Sequence, residues 1–284
     1  NLEAGGFLVI VADPEAFALR YPEVAKPIGP WVGRLGNSGN TIRLVNRSKE
    51  TVDQVAYSDE GDWATRSQVT VGGQLGWEWF AAHDGGGASL ELIDPRLPNQ
   101  IGSNWGVSTV TGGTPENVNS IAVTIEAPLI DQVSHSPPVP RPQDPVIVRA
   151  RISQKLEQTF EAFVHYRVST LMPGFFLTEI AMVDDAGQLV ATIPPHRDQS
   201  VIEFYVEVRT ASASRTWPAD KDRALYQVHQ ATEEGDQPFY YVVMPVNEDA
   251  RFRPEVFPSG SNAQMNATFI VSQAGETTVR YRAG

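Results

Sequence analysis

An all-β fold is what this sequence predicts, and three observations lead there. Its 23 glycines and 21 prolines are spread through all 284 residues, too frequent for long helices. Short runs alternate polar and apolar side chains, the period-two signature of half-buried strands. Turn-forming residues separate those runs at short intervals. The 41% hydrophobic content is that of an ordinary globular chain, enough to bury a sizeable core.

The stretch from Gly85 to Pro95 is the clearest single element. Ser89, Leu90, Glu91 and Leu92 alternate between glycines and a proline, which reads as a core strand ending in a turn. Period two puts Leu90 and Leu92 inward and Ser89 and Glu91 outward, with Trp105 large enough to close the end of that core.

In chain order, Phe7, Leu8, Val9, Ile10, Val11 and Ala12 form a continuous apolar run, expected as a strand buried on both faces. Asp13 followed by Pro14 is an N-cap with proline at the first helical position, so a helix of one or two turns is expected over 14–20. Residues 33–40 are glycine-rich but lack the GK[ST] ending of a phosphate loop, and a strand pattern follows (41–45), so they read as a turn. Residues 41–45 and 52–57 read as a hairpin with its loop at 46–49.

Asp59, Glu60, Gly61, Asp62 and Trp63 come next. Asp59 and Asp62 are the carboxylates that calcium would take, but the regular spacing of an EF-hand and its distant Glu are missing, so the loop reads as a solvated turn. Trp63, Trp77 and Trp79, with Phe80 and His83, crowd one stretch and are the candidate interaction residues, a face on which carbohydrate could stack. The packed alternative has Trp77 and Trp79 sharing one side of an extended segment.

From Asn119 the character changes. Six prolines between 128 and 145 surround a strand-like run, which makes an extended connector with an edge strand. Runs at 146–151, 162–167, 175–180, 189–193 and 201–208 predict a second set of strands, with a hairpin turn at 183–187. Further β runs follow at 224–228, 239–244, 262–271 and 278–284.

The chemistry is sparser. A net charge of -12, with no denser basic cluster than Arg149 and Arg151 or Arg251 and Arg253, disfavours a nucleic-acid partner. There is no cysteine, hence no disulfide, thiolate metal site or thiol nucleophile. No apolar run approaches the roughly 20 residues of a membrane span, and the opening Asn1, Leu2 and Glu3 have no signal-peptide character. The five histidines are far apart in sequence, and no nucleophile elbow is present; Ser259, Gly260 and Ser261 lack its context. Asp184 with Asp185, and Glu233 with Glu234, are adjacent and face different ways, unlike an acid/base pair. Asn46 and Asn266 begin glycosylation sequons.

The ordered series Gly6 to Ile10, Leu35 to Gly39, Ile42 to Leu44, Asp53 to Tyr57, Gly61 to Trp63, Ser89 to Leu92, Asn104 with Trp105, and Gly113 to Asn117 resembles the lamin tail domain. That resemblance implies an immunoglobulin-like β-sandwich over 1–122, lacking the family's first strands. Val133 to Pro137 and Ile193 to His196 followed by Phe204 to Val206 resemble a fibronectin type III or immunoglobulin-like module over 123–216. The runs after Trp217 look like the opening strands of a CotH (spore-coat kinase) domain over 217–284, whose kinase residues would lie past Gly284.

Together these resemblances imply tandem immunoglobulin-like β-sandwiches with a C-terminal β extension, an internal segment of a larger bacterial protein, secreted or at the cell surface. The expected role is a non-catalytic scaffold, adhesion or protein-binding segment without a cofactor. The alternative is the substrate-docking part of a CotH-like kinase. A protein partner, or missing parts of the same polypeptide, is expected to cover the run from Phe7 to Ala12.

Overall fold

The computed structural model describes residues 3, 5–125, 127–153, 159–172, 177–219, 222–230, 237–251 and 262–283. The expectations at 175–176, 233–234 and 259–261, with Arg253 and Gly284, lie outside them. In chain order the elements are α1 (Pro14–Arg20), β1 (Gly39–Val45), β2 (Thr51–Ser58), β3 (Thr65–Val71), β4 (Gln74–Phe80), β5 (Leu90–Leu92), β6 (Trp105–Val107), β7 (Ile130–Ser136), β8 (Val146–Ile152), β9 (Glu161–Val168), β10 (Thr178–Ala181), β11 (Val183–Asp185), β12 (Gln188–Ile193), β13 (Val201–Arg209), β14 (Ser214–Trp217), β15 (Ala224–Gln227), β16 (Phe239–Val243), α2 (Val246–Asp249), β17 (Ala267–Gln273) and β18 (Glu276–Ala283). The fold is predominantly β, with several antiparallel sheets. Two compact units divide the chain: Asn1–Ala64 with Phe80–Ile125, and Thr65–Trp79 with Glu126–Gly284.

In the first unit, α1 starts where the sequence predicts. Asp13 Oδ1 accepts from the Glu15 and Ala16 amides, both at 3.0 Å, satisfying two of the donors that a helix start leaves open. The β1–β2 hairpin pairs Ile42 with Val55, and Asn46 organises its loop by accepting from the Ser48 and Glu50 amides.

The run from Phe7 to Ala12 corrects the expectation of a strand buried on both faces. It makes one parallel bridge, Ile10 to Ile28, while Phe7, Leu8 and Ile10 are about half exposed and only Val11 is buried among the large side chains. Amides and carbonyls of Val9, Val11, Ile28 and Trp31 satisfy one another there without a sheet.

The alternation over 89–92 is also reversed. β5 pairs with β6, but Glu91 is the buried residue and Leu90 and Leu92 are only partly covered. Glu91 accepts from the Ser120 amide and hydroxyl, both at 2.7 Å, and from Thr114 Oγ1 at 2.9 Å, and these bonds hold its carboxyl below its usual range against the opposing effect of burial. Asn104, fully buried, ties the same turn by accepting from the Asp94 amide and donating to the Asp94 carbonyl. This part of the unit is organised by polar satisfaction as much as by apolar burial.

In the second unit, β10-β9-β13-β14 form one sheet, with β15 sharing an edge of β13, and β11-β12-β8-β7 form another. β13 divides that edge: Val201 to Phe204 pair with β15, and Val206 to Arg209 pair with β14. The chain passes from one sheet to the other at buried Met182, after which the turn at Ala186 and Gly187, both at positive φ, joins β11 to β12. The two sheets share one apolar core. Val146, Val148, Ala191 and Ile193 come from one; Val164, Phe204, Val206 and Val208 come from the other. Each of the valine, isoleucine and phenylalanine side chains contributes about 1.5–3 kcal/mol by leaving water.

β7 is an edge strand, as the proline-rich stretch predicts. Its His135 stacks on Tyr226 at 5.1 Å and is hydrogen-bonded to Tyr281, which packs against the same core from β18. β16-β17-β18 make a three-stranded sheet, joined to β15 where Thr268 Oγ1 accepts from the Leu225 amide at 3.1 Å. β3 and β4 form a hairpin anchored by a bridge between Trp77 and Gln264.

Candidate functional site

The second unit contains a cleft of about 640 Å³ whose walls carry most of its buried charge. β3 contributes Arg66, Ser67 and Gln68; β4 contributes Trp77. Arg167 comes from β9, Glu203 from β13, Asp222 and Arg223 from the segment before β15, Asn247 and Glu248 from α2, and Asn266 from just before β17. Strand alternation sends Arg66 inward, and Trp77 and Trp79, two residues apart on β4, face it from the neighbouring strand. The Arg66 guanidinium carbon lies 5.2 Å from each indole ring, and Arg282 lies 4.7 Å from Trp79.

Behind the cleft these groups form one buried network. Arg66 Nη1 donates to Asn266 Oδ1 at 2.9 Å and to Asp222 Oδ2 at 3.3 Å, and Arg282 Nε donates to the same Asp222 oxygen at 3.0 Å. Glu248 accepts from the Trp77 indole at 3.0 Å and from the Asn266 amide at 2.6 Å. Burial pushes the Arg66 pKa down, with Asp222 opposing it; burial also pushes Glu248 up, with the bonds from Trp77 and Asn266 opposing.

On the mouth side, Arg167 donates to Glu203 through Nε at 2.9 Å and Nη2 at 2.6 Å, while Arg223 lies 4.3 Å over the Tyr205 ring and gives Nη1 to the Asp222 carbonyl. The carboxylates are therefore committed to donors. Among the described residues, Arg66 Nε and Nη2 and Arg223 Nε have no hydrogen-bond partner.

The residues singled out in the sequence are distributed as follows. Trp77 and Trp79 belong to this site and share one side of β4. Trp63 belongs to the first unit, where its ring lies 5.8 Å from Trp105. Asp62 lies in a single 3-10 turn (Gly61–Trp63) and Asp59 just before it. Among the described residues no three His, Cys, Asp or Glu side chains are grouped to hold a metal ion. Of the two sequons, Asn266 is buried with its side chain bonded to Arg66 and the Arg223 carbonyl, whereas Asn46 is exposed.

The sequence reading missed Arg66, Asp222, Glu248, Asn266 and Arg282. The Arg66 partners lie 156 and 200 residues away, so no local spacing marks them. The one available signal is Trp77 and Trp79 at strand period beside an arginine-bearing strand. A groove of about 590 Å³ in the first unit, lined by Leu35, Ile42, Tyr57, His83, Leu90 and Trp105, is more apolar.

Compared with models of known protein families the chain matches none, and no curated protein matches it.

Proposed function

We propose that this chain is a non-catalytic interaction segment of a larger extracellular bacterial protein, and that the charged cleft of its second unit is a recognition site. The observation that carries this reading is the state of the carboxylates. Asp222, Glu203 and Glu248 are each held by two or more donors, which positions them but leaves no base aligned on a nucleophile. A concave site with a tryptophan and converging polar groups is the usual form of a small-ligand site.

The architecture supports the same reading. Two antiparallel sheets sharing one core are what an immunoglobulin-like sandwich requires, and such modules commonly present binding surfaces in extracellular proteins. We extend the reading to the lamin-tail-like and CotH-like resemblances, and to a protein partner at the exposed side chains of Phe7, Leu8 and Ile10. The test is ligand-detected and 15N-resolved NMR on the 284-residue chain with panels of saccharides and short peptides. Saturable shifts at Ser67, Gln68, Arg223 and Asn247 are expected. Binding elsewhere with the cleft silent, or turnover of a panel member, contradicts the proposal.

A further inference from the structure

The cleft's uncommitted hydrogen-bonding capacity is one-sided. Its carboxylates are satisfied from within the protein, whereas the unpartnered atoms there are guanidinium N–H groups of Arg66 and Arg223. Arg66 is 1% exposed, so water does not satisfy it. The lining pairs three arginines, Arg66, Arg167 and Arg223, with three carboxylates, Glu203, Asp222 and Glu248, and Arg282 adds a cation bonded to Asp222.

The rest of the lining limits what kind of anion fits. Trp77 is half-buried and offers ring surface, and Gln68, Asn247 and Ser67 add neutral donors and acceptors around it. Hydroxyl-rich rings use both: an aromatic face for their C–H side and planar amides for their hydroxyls. A volume of about 640 Å³ is that of a small-ligand site.

Building on the reading of the cleft as a recognition site, we propose that it binds a saccharide carrying carboxylate groups, of the uronic acid class. The carboxylate lies toward Arg223, and the sugar ring lies against Trp77.

The experiment titrates the 284-residue chain, by calorimetry and 15N NMR, with trigalacturonate, its methyl ester, and acetate at matched carboxylate concentration. Trigalacturonate is expected to bind saturably, to shift Ser67, Gln68, Arg223 and Asn247, and to weaken as salt is raised. Arg223→Gln is expected to weaken it about ten-fold or more, as loss of a charge-assisted hydrogen bond does. Gln68→Ala, at an exposed position, weakens it less and provides the readout if Arg223→Gln fails to fold. Equal binding of the methyl ester overturns the carboxylate assignment and leaves the recognition site standing. Acetate matching trigalacturonate in affinity and shifts overturns the saccharide assignment. A silent cleft with all three ligands and with the wider panels overturns both proposals.

Discussion

Arg66 and Asp222 meet with neither side chain exposed to solvent, Nη1 lying 3.3 Å from Oδ2. Arg282 reaches the same oxygen, so one carboxylate bonds two buried guanidinium groups. Removing that carboxylate by Asp222→Ala takes an ion-pair partner from both cations and is expected to cost about 3–5 kcal/mol, read from urea unfolding. Arg66→Met combined with Asp222→Asn should cost less than Asp222→Ala alone, because one buried charge leaves with its partner. A near-neutral Asp222→Ala would mean that the network does not hold the β3–β4 hairpin.

His135 makes the second unit sensitive to mild acid. Its Nε2–H donates to the Pro138 carbonyl at 3.0 Å, so Nδ1 is the acceptor for the Tyr281 hydroxyl, and the ring is neutral. Burial lowers its pKa to about 4, with the Pro138 bond opposing. The unfolded chain takes up this proton near pH 6.5 and the folded chain does not until about pH 4. The stabilisation is therefore complete above pH 6.5 and is lost as pH falls toward 4, about 3 kcal/mol in all. Urea midpoints at pH 7 and 4.5 should differ accordingly, and His135→Phe should shrink that difference while lowering stability at pH 7.

Asp94 acts in the first unit at lower pH. The Arg96 side chain holds its carboxyl well below the usual range, aided by the Ile125 and Arg96 amides and opposed by burial. A depressed folded pKa contributes stability that is present above about pH 4 and is lost as pH falls below it. Asp94→Asn should flatten the pH dependence of the first unit below pH 4 and leave the interval from 6.5 to 4 unchanged. Site-resolved NMR melts through both intervals make the check, and a single shared acid transition near pH 5.5 would contradict it.

Gly76 marks where β4 approaches its neighbour most closely. A Cβ there would lie 2.8 Å from Ala263 Cβ and 2.9 Å from the Gln264 backbone. Gly76→Ala is expected to cost about 1–3 kcal/mol by overpacking. It should also speed hydrogen exchange at the Trp77 amide, which donates to the Gln264 carbonyl at 2.8 Å. Unchanged protection at Trp77 would show that the approach is looser.

Within the apolar opening run, Leu8 and Val11 should respond in opposite ways. Leu8 is 52% exposed and Val11 only 6%. Leu8→Ser is expected to change stability by no more than about 0.5 kcal/mol, and Val11→Ser to cost roughly 2–4 kcal/mol. Calorimetric melts of the two variants test the ordering; the reverse order would restore the strand buried on both faces.

What the sequence alone determined is local. Asp13 before Pro14 specifies the start of α1 because the cap and the proline act within one turn. Short runs rich in β-branched and aromatic residues mark β8 and β13 without knowledge of the partner strand. The hairpin β1–β2 is legible for the same reason: both strands and the Asn46 loop lie within 20 residues.

Only the tertiary structure decided which way marginal stretches turned. Alternation at 89–92 could place either set of side chains inward, and the donors of Ser120 and Thr114, more than 20 residues downstream, made Glu91 the buried one. The run from Phe7 to Ala12 looked like a buried strand because its composition is apolar, but burial also needs a sheet to pair with, and among the described residues it finds one bridge. The cleft lies wholly on this side of the division. A buried charge is tolerated only where its partner arrives, and for Arg66 the partners are Asp222 and Asn266, which nothing in the linear order places beside it.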